Sequence, residues 1–281
     1  MRRLLFALFI TALAMQPALA AERWQELPPT PAPIPTERKG HAEVNGVSIY
    51  YAVYGQGAPV ILLHGGLANS DYWGHQVKAL VDAHREVVVT DSRGHGRSTR
   101  DGKPYGYDLM ADDVVALMDY LKIPRADIVG WSDGAILGLD LAMRHASKVG
   151  KVVAFAANTA TSGVKQPIDN NPAMAAFTAR AGLEYRAHSR TPTQYNGFAA
   201  DIIKMWSTQP NWSDAELKTI KAPVLVVGGD HDEAIKREHT DYIAATIPGA
   251  KLVIIPDVSH FAMLQDPDLF NAVLLKFLDN K

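Results

Sequence analysis

Short apolar runs alternate with helix-spaced patterns along most of this chain. Residues 59–63, 86–90, 126–131, 151–156, 224–227 and 252–255 are rich in Val, Ile and Leu and bounded by Gly, Pro or charged positions, as strands buried on both faces are. Between the second and third runs, residues 108–122 set Leu109, Val114, Val115, Leu117, Met118 and Leu121 on a helical period and stop before Pro124, the residue that cannot continue a helix. Residues 133–145 carry Ile136, Leu137, Leu139, Leu141 and Met143 in the same way. Ahead of them all, an alternating strand from His41 turns at Asn45-Gly46 into a second strand ending at Tyr54, and Asn-Gly supplies the positive φ that a two-residue hairpin needs. Strands alternating with helices predict an α/β domain with a mainly parallel central sheet flanked by helices.

The rhythm fails between about residues 158 and 222, a stretch too long for a plain connection. It has helical spacings around 172–183 and 195–206 and carries Met174, Phe177, Leu183, Tyr185, Tyr195, Phe198, Met205, Trp206 and Trp212. This predicts a helical cap inserted into the domain, with most of these residues holding it down and a few shaping an apolar pocket. Residues 21–40 contain Pro28, Pro29, Pro31, Pro33 and Pro35, which resist helix and ladder alike and predict a short extended linker. Residues 1–20 begin Met1-Arg2-Arg3, continue through an apolar stretch and end Ala18-Leu19-Ala20, the three parts of a secretory signal peptide. The apolar stretch is too short for a membrane span. The predicted organisation is a signal peptide over 1–20, a linker over 21–40 and one domain over 41–281.

Composition narrows the functional classes. With 281 residues, 47% hydrophobic and 21% charged, the chain suits one globular domain with a large core. The formal charge of −2 shows none of the basic excess of a nucleic-acid-binding face. Cleavage after Ala20 removes Arg2 and Arg3 from the 28 basic residues and none of the 30 acidic ones, leaving −4. The absence of cysteine excludes disulfides, a thiol nucleophile and thiolate-held metal. Export therefore predicts a periplasmic or secreted protein stabilised by its core, with no membrane partner after signal removal.

The chemistry-bearing residues cluster where strands end. Gly130-Trp131-Ser132-Asp133-Gly134 is a G-x-S-x-G pentapeptide between an apolar strand and an apolar helix, so the turn must be tight and the Ser132 hydroxyl thrust outward. Residues 59–67 run from a strand into His64-Gly65-Gly66-Leu67, small residues whose N–H groups can approach a ligand oxygen. Near the C-terminus, one strand ends at Gly229-Asp230-His231-Asp232 and the next leads to Ser259-His260. His231 beside two aspartates lacks a regular metal-ligand spacing and reads as a solvated loop residue.

Over roughly residues 40–280 the chain resembles the α/β-hydrolase superfamily: to the three motifs above it adds Asp91-Ser92-Arg93-Gly94-His95-Gly96-Arg97-Ser98 after a strand, similar to the family's D-x-R-G-x-G-x-S turn. Gly130-Trp131-Ser132-Asp133-Gly134 with Ala156-Ala157-Asn158-Thr159 is similar to the valacyclovir-hydrolase-like serine esterases. The resemblance implies the triad order Ser132, acid, His260. It places the acid at Asp232, with Asp230 the alternative, and the oxyanion hole at the backbone N–H groups of Asp133 and of Gly66 or Leu67, Gly66 preferred. Leu67 and Trp131 become candidate substrate-binding neighbours. His64 and His95 stand in glycine-containing turns and are assigned to loop conformation. The Asp133 carboxylate has two readings, recruitment of a cationic substrate group or capping of the helix. The implied activity is cleavage of a small or medium carboxylic ester through an acyl-serine, without a cofactor. A lactone and a carbon–carbon bond are alternative substrates of the same triad, and a ligand-binding receptor is the non-catalytic alternative. Serine as nucleophile argues against haloalkane dehalogenase or epoxide hydrolase chemistry. Oligomeric state is left open.

Overall fold

The structure, a computed structural model, describes residues 22–166 and 171–280; the predicted signal peptide lies outside them. β1 (Lys39–Val44) and β2 (Val47–Tyr54) form a hairpin turning through Asn45 and Gly46, both at positive φ. β3 (Ala58–Leu63), β4 (Arg85–Thr90), β5 (Ala126–Trp131), β6 (Val149–Phe155), β7 (Val224–Gly229) and β8 (Lys251–Ile255) complete the sheet. The order across it is β1-β2-β4-β3-β5-β6-β7-β8. β2 pairs antiparallel with β1 and β4, and every other pair is parallel. This is the mainly parallel sheet that the apolar runs predict.

The helices are α1 (Gly74–Asp82), α2 (Tyr107–Tyr120), α3 (Asp133–Arg144), α4 (Pro172–His188), α5 (Tyr195–Trp206), α6 (Asp214–Leu217), α7 (Arg237–Thr246), α8 (Ala262–Gln265) and α9 (Pro267–Asp279). The two-residue period of the strands sorts side chains between the sheet's two faces. On β3, Ile61 and Leu63 join Met110 and Val114 of α2 and Ile136 of α3, whereas Val60 and Leu62 join Val77 of α1 and Phe270 of α9. Each fully buried aliphatic side chain contributes about 1.5–3 kcal/mol. Two apolar faces explain why these strands read as unbroken runs rather than as alternation.

β3 lies between β4 and β5, so the chain steps outward after β3 and returns past it to β5. The loops leaving β3 and β5 diverge there, and a crevice opens at their carboxyl ends. Helices α4, α5 and α6 all fall between β6 and β7, and a bridge between Ala160 and Asn211 draws the two ends of that insertion together. Residues 26–38 hold neither helix nor strand and run against the body of the protein. Arg180 on α4 donates to the main-chain oxygens of Pro28 at 2.6 Å and Leu27 at 3.1 Å, and the Trp24 ring stacks on His231 at 4.5 Å. Among the described residues no helix is long and apolar enough to cross a membrane.

Candidate active site

Strand β5 and helix α3 meet almost without a loop. Ser132 is the single residue between them, at φ 52° and ψ −119°, a conformation that L side chains rarely adopt and that stores strain at the turn. The flanking glycines permit it. A Cβ on Gly130 would lie 2.1 Å from the Gly134 carbonyl oxygen, and one on Gly134 would lie 2.0 Å from that of Leu63. The main chain of Ser132 is held as its N–H donates to Phe155 O at 2.9 Å and its carbonyl accepts from Ala135 and Ile136. The side chain opens on a cavity of about 810 Å³.

His260 reaches the same cavity from the loop after β8. Its Nδ1 lies 3.0 and 3.1 Å from the two carboxylate oxygens of Asp232, so Nδ1–H donates and Nε2 is left to act as a base. Asp232 stands in the loop after β7 and is fixed in turn, its Oδ1 accepting from the N–H groups of Ala234 and Ile235 at 2.9 Å each. Asp230, the alternative acid, is occupied with His231 at 2.8 Å and the Val258 N–H instead. Burial opposes both charged forms, yet the pair overrides it: Asp232 is held below the usual carboxylate value, chiefly by His260, and His260 is raised above 6.5 by Asp232, then by Glu233 and Asp133.

Gly66, Leu67, Trp131 and Asp133, the other residues assigned from sequence, line this cavity with Ser132 and His260. At Gly66 a Cβ would come within 2.3 Å of Trp206 Cζ2 and 2.4 Å of Asp133 Oδ2, so the position leaves no room for a side chain. Leu67 follows at φ 62°. Trp131 is buried and packs on Tyr72, Phe261 and His260 at ring separations of 5.5, 5.6 and 5.9 Å. His64 ties two loops, its Nε2 accepting from Ser92 N–H at 3.0 Å and its Nδ1 meeting Gly65 O at 2.7 Å. His95 meets the Arg93 carbonyl at 3.0 Å. Burial lowers His64 and pushes His95 down to about 3, so both rings are neutral at pH 7.

Asp133 departs from the capping alternative. Its carboxylate accepts from Tyr107 Oη at 2.9 Å and from Trp206 Nε1 at 2.9 Å to each oxygen. Trp206 sits on α5, so the bond joins the inserted helices to the nucleophile turn. Burial raises Asp133 to about 6 against the pull of Trp206, Tyr107 and His260. Tyr107 and Trp206 were not legible as partners of Asp133, because nothing in their local pattern separates them from core aromatics. Glu233, beside Asp232, was also missed: it is buried and accepts from the His260 N–H at 2.9 Å. No Lys or Arg lines the cavity among the described residues, and Phe177, Met174, Val164 and Ile203 make its far wall apolar.

Ser132, the Gly66-Leu67 turn and a histidine oriented by a carboxylate thus meet on one cavity. Residues 60–273 match the alpha/beta hydrolase family, and the chain belongs to that family. It is 29% identical over 252 residues to the human serine hydrolase BPHL, covering 84% of each chain. It is 32% identical over 272 residues to a non-heme chloroperoxidase of Kitasatospora aureofaciens, covering 84% of this chain and 97% of the relative. A solved N-acyl homoserine lactone degrading enzyme superposes with a TM-score of 0.68 at 30% identity, covering 84% of this chain and 99% of the other.

Proposed function

We propose that this hydrolase cleaves uncharged carboxylic esters of small or medium size through an acyl intermediate on Ser132. The observation that carries the reading is the meeting of Ser132 and an Asp232-bonded His260 on one cavity whose described lining holds no Lys or Arg. An anionic substrate would lose its hydration there with no cation to replace it, at a cost of several kcal/mol. An uncharged ester meets no such penalty.

His260 Nε2 takes the Ser132 hydroxyl proton as Oγ bonds to the acyl carbon. The resulting oxyanion is received by the N–H groups of Asp133 and Gly66, with Leu67 the alternative to Gly66. Loss of one such donor costs about 2.7–4 kcal/mol. His260 then returns the proton to the leaving alcohol, and water, activated by the same ring, releases the acid and restores Ser132. A lactone undergoes the same attack with both products in one molecule, and the N-acyl homoserine lactone degrading relative favours it as the second substrate class.

Steady-state hydrolysis of aryl esters from short to long acyl chain, with a γ-lactone alongside and Ser132→Ala as blank, tests the proposal. Multiple turnover of these uncharged substrates that depends on Ser132 is the expected result. Tight ligand binding without turnover in a folded protein would instead support a receptor, and faster cleavage of a carbon–carbon bond would displace the ester. Export through residues 1–20 belongs to the same proposal; its support is the charged, apolar and Ala18-Leu19-Ala20 parts of that segment. A mature protein beginning at Ala21 is expected on N-terminal sequencing of exported material, and retention of Met1 would overturn it.

A further inference from the structure

A second acid stands next to the first in the loop that faces His260. Glu233 is 2% exposed, and its Oε2 accepts from the His260 main-chain N–H at 2.9 Å. Its other oxygen, Oε1, is buried without a hydrogen-bond partner. Burial of a carboxyl group with one oxygen unmatched costs stability that an apolar side chain of similar volume would not. Such a group returns little to the fold, and its one bond ends on the residue that carries the proton.

The bond acts where Asp232 does not. Asp232 fixes the ring of His260 through Nδ1, but a ring turns about bonds anchored in the backbone, so its Nε2 is placed only if the main chain is placed. Ser259, immediately before, is held in a matching way: its N–H donates to Gln265 Oε1 at 2.7 Å. Two successive N–H groups of the histidine loop thus end on buried side chains, and the one belonging to His260 itself ends on Glu233.

We propose that Glu233 is a positioning residue for His260: by accepting the His260 N–H it fixes the backbone from which the ring reaches Ser132. The proposal rests on the reading of His260 as the base in ester cleavage. It assigns the effect to the reach of the hydrogen bond and not to the negative charge, and two substitutions separate them. Glu233→Gln keeps an oxygen at the same reach and removes the charge. Glu233→Asp keeps the charge and withdraws the oxygen by one carbon–carbon bond, about 1.5 Å.

Steady-state kinetics on an uncharged aryl ester should show kcat of Glu233→Asp reduced about tenfold or more with KM within about twofold, as expected for a displaced proton acceptor. Glu233→Gln should retain kcat within about threefold. The reverse order, equal impairment of both, or full activity of both would overturn the proposal. A second readout does not depend on turnover: the downfield proton signal of His260 Nδ1–H, assigned by its loss in His260→Ala, should persist in Glu233→Gln and shift or broaden in Glu233→Asp. An unchanged signal in both variants also overturns the proposal. If Ser132→Ala keeps full turnover, the serine reading fails, while the proton signal still decides whether Glu233 places the ring.

Discussion

Ser132, Asp232 and His260 each stand on a loop at the carboxyl end of a strand of one sheet, whereas Phe177, Ile203 and Trp206, which close the cavity from the other side, stand on helices of one insertion. The first group is placed by ladder register and by backbone bonds: Ser132 N–H to Phe155, Asp232 to Ala234 and Ile235, His260 N–H to Glu233. In the second, Phe177 is placed by apolar packing and Trp206 by packing and a bond to Asp133, while Ile203 is held only by its helix and is largely exposed. A reacting atom must be positioned to a fraction of an ångström, and a sheet supplies that rigidity better than inserted helices do. Substitutions on the sheet side should therefore change the rate of chemistry, and those on the insertion side should change which ester is preferred.

The largest effect is expected from Asp232→Asn, a fall of about 10³–10⁴ in kcat, because the ring loses both its orientation and its stabilisation once protonated. The pH profile carries the sign. Only the neutral His260 accepts a proton, and its pKa is raised above 6.5, so wild-type kcat/KM should fall as pH drops through a value above 6.5. Without the Asp232 charge the ring is harder to protonate and the acid limb should move to lower pH; a limb that stays in place contradicts the assignment.

Gly66→Ala comes next. The new Cβ presses on both Trp206 and Asp133, at the point where the two sides of the cavity touch, and a disturbed oxyanion donor should cost about 10² in kcat. Normal turnover of a folded Gly66→Ala enzyme would remove Gly66 from the oxyanion hole. For Asp133→Asn the expected change is in a ratio: the rate on an aminoacyl ester relative to that on its neutral analogue should fall about fivefold if the carboxylate attracts the amine. In the wild type the same ratio should fall below about pH 6, where Asp133 takes up a proton. An unchanged ratio leaves Asp133 only the task of holding Trp206 and Tyr107. The smallest effect is assigned to Ile203→Ala on the insertion side, which should move the optimum toward longer acyl chains with kcat on short esters within about threefold.

The two sides also differ in how far the sequence disclosed them. Strand-end motifs are local: G-x-S-x-G announces a tight turn at Ser132, while a strand followed by Gly229-Asp230-His231-Asp232 offers two acids, between which the family resemblance favoured Asp232, with His260 as the base. The strain was less apparent, because the glycines suggested where backbone freedom lay, while it is Ser132 itself that takes the positive φ. Glu233 carries no motif of its own, so nothing in the sequence marks it as a buried acid bonded to the His260 N–H. The partnership of Tyr107, Asp133 and Trp206 spans residues 26 and 73 positions apart from Asp133, and no periodic pattern encodes such a meeting. Packing of residues 27–30 on α4 was equally hidden, for proline density reports extension and not what the extended chain lies against.

The most direct measurement is the mass of the protein mixed rapidly with a p-nitrophenyl ester and quenched before deacylation is complete. An added acyl group on the peptide containing Ser132, absent from Ser132→Ala, is the predicted result. Continued ester turnover with no acyl adduct at Ser132, or with the adduct on another residue, would contradict the account.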